Sequence, residues 1–230
     1  MRHVAGGGEM AGSIRRQAGL GALAVVVLWL AALLGAGAPP AFDASPVEVA
    51  SYFHDHHRAV VVGGVLFAAG LAIYLGVLCA LTIFLRGAAQ RALGQLVANG
   101  GITAAAVMAG AVVLWGALGE LAVTGNDPGL VRGLYELDQF AAVPVCWLTL
   151  VAVYAVTLAG HRGVFPTWSV WLNGAIGALL VLGGISVMAT GLFAAGTGLF
   201  AVAGFLASIV FVAELGVLLW TAKEPVRVAR

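Results

Sequence analysis

His54-Asp55-His56-His57-Arg58 concentrates more reactive side chains than any other segment of the chain, with three of its five histidines in four positions. On a helix His54 and His57 are three apart and share a face with Arg58, while His56 points elsewhere. Two imidazoles at that spacing can hold zinc or copper if carboxylates arrive from another segment, and Glu136 and Asp138 are the natural donors. The plainer reading makes the cluster a helix end whose histidines and Arg58 face headgroups and water and pair with neighbouring acids. By itself the cluster lacks a full tetrahedral set. No cofactor is expected beyond a divalent metal held by His54 and His57 in the first of these readings.

Two acids stand inside long apolar runs, Glu120 and Glu214. Glu120 falls three residues from the end of its run, about 5 Å deep at 1.5 Å per residue, and Glu214 seven residues from the end of its own, about 10 Å deep. An acid within the hydrocarbon is a functional candidate by default. No Lys or Arg lies well inside any run, so Glu214 must be protonated or hydrogen-bonded, with Asn173, Ser186 and Ser208 as its polar companions. One reading is a proton-accepting or cation-coordinating site; the other is a helix-to-helix hydrogen bond worth about 0.6–2 kcal/mol.

These residues must be positioned by membrane-spanning helices. The chain has 230 residues, 62% hydrophobic and 9% charged, against about 25% charged in a soluble domain. Crossing a hydrocarbon core of about 30 Å takes about 20 mostly apolar residues in a helix, which alone satisfies its own backbone there. Runs of that kind lie at 20–38, 59–85, 100–123, 139–160, 168–188 and 198–221. The stretch holding Gly191, Gly196 and Gly198 is either a short outer turn or part of the last helix.

Basic residues in short loops resist translocation and set the orientation. With the N-terminus inside, Arg2, Arg15, Arg16, Arg86, Arg91, Arg162, Lys223, Arg227 and Arg230 are cytoplasmic, and only Arg58 and Arg132 are outside. Asp43, Glu48, Asp55, Asp127, Glu136 and Asp138 then face outward. The expected location is the cell membrane, with a cytoplasmic tail over 1–18, a transmembrane domain over 19–222 and a second cytoplasmic tail over 223–230. Ala36-Gly37-Ala38 ahead of Pro39-Pro40 imitates a secretory cleavage site, but the apolar run before it is longer than the 7 to 15 or so residues of a signal core. It is therefore read as a span. Cys79 and Cys146 fall at different depths and are expected to be free thiols.

Two outer segments are expected to form short amphipathic surface helices. Ser45-Pro46-Val47-Glu48 has the form of a capping box with Pro at the first helical position, and Asp127-Pro128 opens a second segment carrying Leu130, Leu134 and Leu137. The two align as a weak internal repeat of span, surface helix, span. On the inner side Arg86 to Asn99 reads as a polar connection and His161 to Pro166 as a tight turn, followed by Trp168 and Trp171 at the headgroup level.

Tyr52-Phe53 followed by His57-Arg58 before the second span, together with Pro166-Thr167-Trp168-Ser169-Val170-Trp171-Leu172 before the fifth, resembles a broad group of uncharacterised bacterial multi-pass membrane proteins. The resemblance covers most of the chain, rests on short motifs and implies no reaction. There is no GxxxxGK[ST] phosphate loop and no GxGxxG after a strand, and no serine or cysteine nucleophile with a partner histidine can be assembled. With every histidine in a loop or at an interface, haem ligation within the bilayer is not expected. Net charge near +1 gives no case for nucleic acid.

The expected fold is an all-α bundle of six transmembrane helices with two short amphipathic outer-surface helices. The expected function is non-enzymatic: a structural or accessory component of the bilayer, or one that binds a lipid or a membrane protein partner at the outer face, where His54, Asp55, His57, Arg58, Glu136 and Asp138 gather. Glycine-rich helix faces also permit self-association. The alternatives are a small proton- or cation-coupled transporter using Glu214 and Glu120, and a membrane enzyme or metal-binding protein built on the outer His and carboxylate groups.

Overall fold

A computed structural model describes residues 6–125, 127–188 and 190–222. Arg2, Lys223, Arg227 and Arg230, four of the basic residues used to assign the inner side, lie outside the described residues. Among the described residues seven helices follow one another: α1 (Gly6–Ala36), α2 (Pro46–Asp55), α3 (His57–Gly87), α4 (Arg91–Val123), α5 (Pro128–His161), α6 (Thr167–Gly184) and α7 (Leu199–Thr221). All but α2 are long and apolar enough to cross a membrane. The protein is thus an all-α bundle, and its six apolar helices fit a multi-pass membrane protein.

The long helices alternate in direction and close a ring. Each packs on the next, α1 on α3, α3 on α4, α4 on α5, α5 on α6 and α6 on α7, and α7 returns to α1. Helix α7 also touches α5 and α3. Of its apolar window 61% is buried, against 28–39% for the other five, which makes it the inner helix of the bundle. One end of the bundle carries Arg15, Arg16, Arg86, Arg91 and Arg162, and is called here the basic end. The opposite, capped end carries α2.

Small residues let the helices meet. A Cβ on Gly204 of α7 would stand 2.9 Å from the Cα of Gly183 on α6, and one on Gly183 would stand 3.0 Å from Cys146 Sγ on α5. Both cysteines are free, Cys146 buried and Cys79 exposed. Helix α1 is fixed to α3 by Trp29, which stacks on Phe67 at 4.8 Å and donates its indole N–H to the Phe67 carbonyl at 3.2 Å.

Helix α2 forms where the capping box predicts it. The Ser45 N–H donates to Glu48 Oε2 at 2.7 Å and the Glu48 N–H to Ser45 Oγ at 3.3 Å. Its buried face, Val49 and Phe53, packs with Val60, Leu118, Val131 and Tyr135 in a small cluster separate from the main core. A second lid, formed by the described residues 185–188 and 190–198, joins α6 to α7. There the Met188 N–H donates to the Phe193 carbonyl, the Ala195 N–H to the Met188 carbonyl, and Gly191 and Gly196 take φ of +82° and +65°. This stretch is therefore a turn, with α6 ending at Gly184. Thr197 Oγ1 accepts from the Phe42 N–H at 3.2 Å, tying the lid to the segment that leads into α2.

Two elements differ from the sequence reading. The second surface helix is not separate: Asp127 caps it, accepting from the Gly129 N–H at 2.9 Å, and it runs without interruption into α5. Nothing between Pro128 and the span resembles the bend at His56 that divides α2 from α3, so the likeness of the two outer segments ends at their N-caps. The connection expected over 86–99 also shrinks to 88–90. Helix α4 starts at Arg91, and Gln95 bonds Asn99 at 2.8 Å along its exposed side; polarity there reflects surface, not loss of helix.

A Gly204→Val substitution should force α6 and α7 apart and cost about 1–3 kcal/mol, readable as a lower midpoint in detergent-titrated unfolding. Contact with the Ser45 backbone N–H, and then with its hydroxyl, holds Glu48 below its ordinary 4.5. The contribution of the capping box is therefore complete above that value and disappears as pH falls through the lowered one. Hydrogen-exchange protection of the Ser45 amide should be lost in that acid window, and at every pH in Glu48→Ala.

Candidate functional site

Polar chemistry collects in two places that α5, α6 and α7 keep apart. At the capped end α4 and α5 bring Glu120, Trp115 and Asp138 beneath and beside α2. Toward the basic end α6 and α7 bring Asn173 against Glu214.

The inner pair is the more enclosed. Glu214 is 3% exposed and Asn173 1%. Asn173 Nδ2 donates to Glu214 Oε1 at 2.7 Å and to the carbonyl of Ser169, one turn earlier on its own helix, at 2.8 Å. Pro166 sets the start of α6, and Ser169 Oγ donates back to the Pro166 carbonyl at 2.9 Å. Gly160 of α5 faces this turn, where a Cβ would meet Val170 at 2.7 Å, so α5 and α6 approach closely here. Two buried atoms in the pair have no hydrogen-bond partner, Glu214 Oε2 and Asn173 Oδ1. The other companions expected for Glu214 serve their own helices: Ser186 bonds the Leu182 carbonyl and Ser208 the Gly204 carbonyl.

At the capped end the histidines diverge. His57 Nε2 lies 3.0 Å from Glu120 Oε1, joining α3 to α4, with Glu120 66% exposed. His54 Nδ1 lies 3.3 Å from Asp55 of its own helix, both exposed. His56 stacks on Tyr52 and sits 3.0 Å from the Tyr52 carbonyl. Arg58 is exposed, and with His54, Asp55, His56, His57, Ala59 and Val123 it lines an open groove at the break between α2 and α3.

The two acids named as partners for these histidines lie elsewhere. Glu136 accepts from both Nε and Nη2 of Arg132 at 2.9 Å, and the Arg132 guanidinium sits over the Phe42 ring at 5.4 Å. Asp138 is buried, 7% exposed, where Oδ2 accepts from the Trp115 indole N–H and, at 3.3 Å, from Gln139 Nε2. Among the described residues no three His, Cys, Asp or Glu side chains gather where they could hold a metal ion.

The sequence reading places Asp138 on the outer face just before a span at 139–160, and so does not pair it with Trp115 and Gln139. Extending the helix back toward its Asp127-Pro128 cap would have turned Asp138 inward. Two tyrosines add bonds that residue types do not announce: Tyr52 donates to the Ala36 carbonyl at 2.8 Å and Tyr135 to the Pro40 carbonyl at 2.5 Å. Together they tie the chain between α1 and α2 to the cap.

No protein-family model, curated protein or solved structure matches the chain. The site therefore has to be read from its own geometry.

A double-mutant cycle between His57→Ala and Glu120→Ala should give a coupling of about 0.2–1 kcal/mol, as for exposed pairs. Because Glu120 is mostly exposed, that coupling should shrink as salt is added.

Proposed function

We propose that this protein is a non-enzymatic component of the cell membrane that works by binding, holding a lipid headgroup or a partner membrane protein at its capped end. The groove lined by His54, Asp55, His56, His57, Arg58 and Val123 carries this reading. It joins imidazoles, a carboxylate and a guanidinium to an apolar floor beside the spans, the mixture that a polar headgroup or a juxtamembrane segment would satisfy. Helix α2 supports it too, since its apolar face is spent on the bundle while Ser51, His54 and Asp55 stay exposed. The sidedness that fits is capped end outside and basic end cytoplasmic, in keeping with the arginines at 15, 16, 86, 91 and 162.

A second reading, a proton- or cation-coupled transporter, is favoured by one observation, the burial of Glu214 against Asn173. Glu120 fits that reading less well, being exposed and paired with His57. A divalent metal on His54 and His57 would have to recruit ligands beyond those their present pairings offer.

Native mass spectra of the gently solubilised protein should show a lipid or protein adduct on the wild type. It should be reduced at least tenfold in a His57→Ala, Arg58→Ala variant of unchanged helical content. An adduct retained by that variant would remove the groove from the reading. A bare wild-type chain, combined with solute flux in vesicles that Glu214→Gln abolishes, would put the transport reading in its place.

A further inference from the structure

The two orphaned atoms of the Glu214–Asn173 pair are complementary in one protonation state and opposed in the other. A primary amide and a carboxylic acid can close a cyclic pair in which the amide N–H donates to the acid carbonyl oxygen and the acid O–H donates to the amide oxygen. The first half of that ring is present as the 2.7 Å bond from Asn173 Nδ2 to Glu214 Oε1. What remains is Glu214 Oε2 and Asn173 Oδ1, both buried and both without a partner. With a carboxylate the two would be bare acceptors in a site that excludes water, each unmet group costing about 1–3 kcal/mol. One proton on Oε2 converts it into the donor that Oδ1 lacks.

We infer that Glu214 and Asn173 form a proton-binding site, in which a neutral Glu214 carboxylic acid is closed onto the Asn173 amide. The second amide hydrogen is already used by the Ser169 carbonyl, so the ring leaves neither nitrogen nor oxygen unsatisfied. The inference goes beyond the groove at the capped end and does not depend on it.

Among the described residues no cation bonds Glu214. Among the residues whose side chains are described, the charged or titratable groups on helices packed against α7 are Arg15 and Arg16 on α1, His57, Arg58, Tyr74, Cys79 and Arg86 on α3, and Arg132, Tyr135, Glu136, Asp138, Cys146, Tyr154 and His161 on α5. None of them bonds Glu214. Gly19 of α1 packs against Gly216 and Trp220, which puts Arg15 about a further turn toward the basic end. Glu214 is seven residues from Thr221, the last residue of α7, or about 10 Å along the helix. The basic end is therefore the nearer source of the proton, which water there supplies and to which it returns.

Glutamine tests the state directly, because its amide presents the same donor and acceptor to Asn173 as a protonated glutamate. Glu214→Gln should leave the thermal unfolding midpoint of the detergent-solubilised protein unchanged, whereas Glu214→Leu should lower it. In infrared spectra at neutral pH the wild type should show the C=O stretch of a protonated carboxylic acid, sensitive to D2O and missing from Glu214→Gln. In Asn173→Leu the stretch should move to higher frequency as its hydrogen-bond partner goes. A wild type without that band would overturn the inference, as would a band indifferent to Asn173→Leu. Destabilisation by Gln, or stabilisation of the wild type by sodium ions at constant ionic strength, would replace the proton with a metal cation on an ionised carboxylate.

Discussion

Apolar helices gain little from meeting one another in lipid, because the surrounding tails are as apolar as their side chains. Association has to come from close packing, and the bundle depends on where its backbones can touch. Gly183 and Gly204 provide the tightest such place between α6 and α7, with Cys146 of α5 lying against both. Gly19 and Gly216 do the same for α1 and α7. Both contacts involve α7, which explains why this helix is the most buried and why the ring closes around it. Filling either contact would affect more than one interface, since α7 is shared by four neighbours.

The same close packing gives the buried polar groups their meaning. Some of them bond only their own stretch of chain: Ser186 and Ser208 each donate to a carbonyl four residues back, which adds nothing to association. Bonds between helices are more telling. Trp147 to the Gly184 carbonyl, Trp115 to Asp138 and Asn173 to Glu214 each join two neighbouring elements. The two acids among them are served differently. Asp138 has two donors, an indole and a neighbouring amide, both on Oδ2, and its buried Oδ1 has no partner; Glu214 has one amide donor, whose own oxygen is as unpartnered as Glu214 Oε2.

Much of the architecture could be read from the sequence because apolar runs and their breakers are long-range signals in a membrane protein. The last span, expected at 198–221, is Leu199–Thr221, and the second, expected at 59–85, is His57–Gly87. The capping box at Ser45 and Glu48 identified α2 for a local reason, two reciprocal bonds three residues apart. What escaped was the polar margin of each span. Residues 91–99 read as a connection and 128–138 as a separate surface helix, yet a single helix continues through each into its span, since a helix entering water needs no apolar residues to keep its backbone bonded. Asp138 was misplaced for that reason, and with it the pairing of the outer acids. Distances between helices were beyond reach as well: residue types nominate Asn173 as a companion of Glu214 but do not distinguish it from Ser186 or Ser208.

The cap and the inner pair pose opposite physical problems, which argues for reading them as separate devices. In and beside the capped-end groove His54, Asp55, Arg58 and Glu120 remain exposed to water, where a pair such as His57 and Glu120 is weak and easily exchanged for a ligand. A binding surface needs that weakness, because a partner must replace existing contacts at little cost. Glu214 sits where water is excluded and contacts cannot be exchanged without opening the packing around α7. Only a species as small as a proton can enter or leave such a site without moving a helix, and only a hydrogen-bond pattern can register its presence. The glycine contacts that close the ring thus limit what the inner site can hold, while leaving the outer groove open to anything with a headgroup or a side chain to offer.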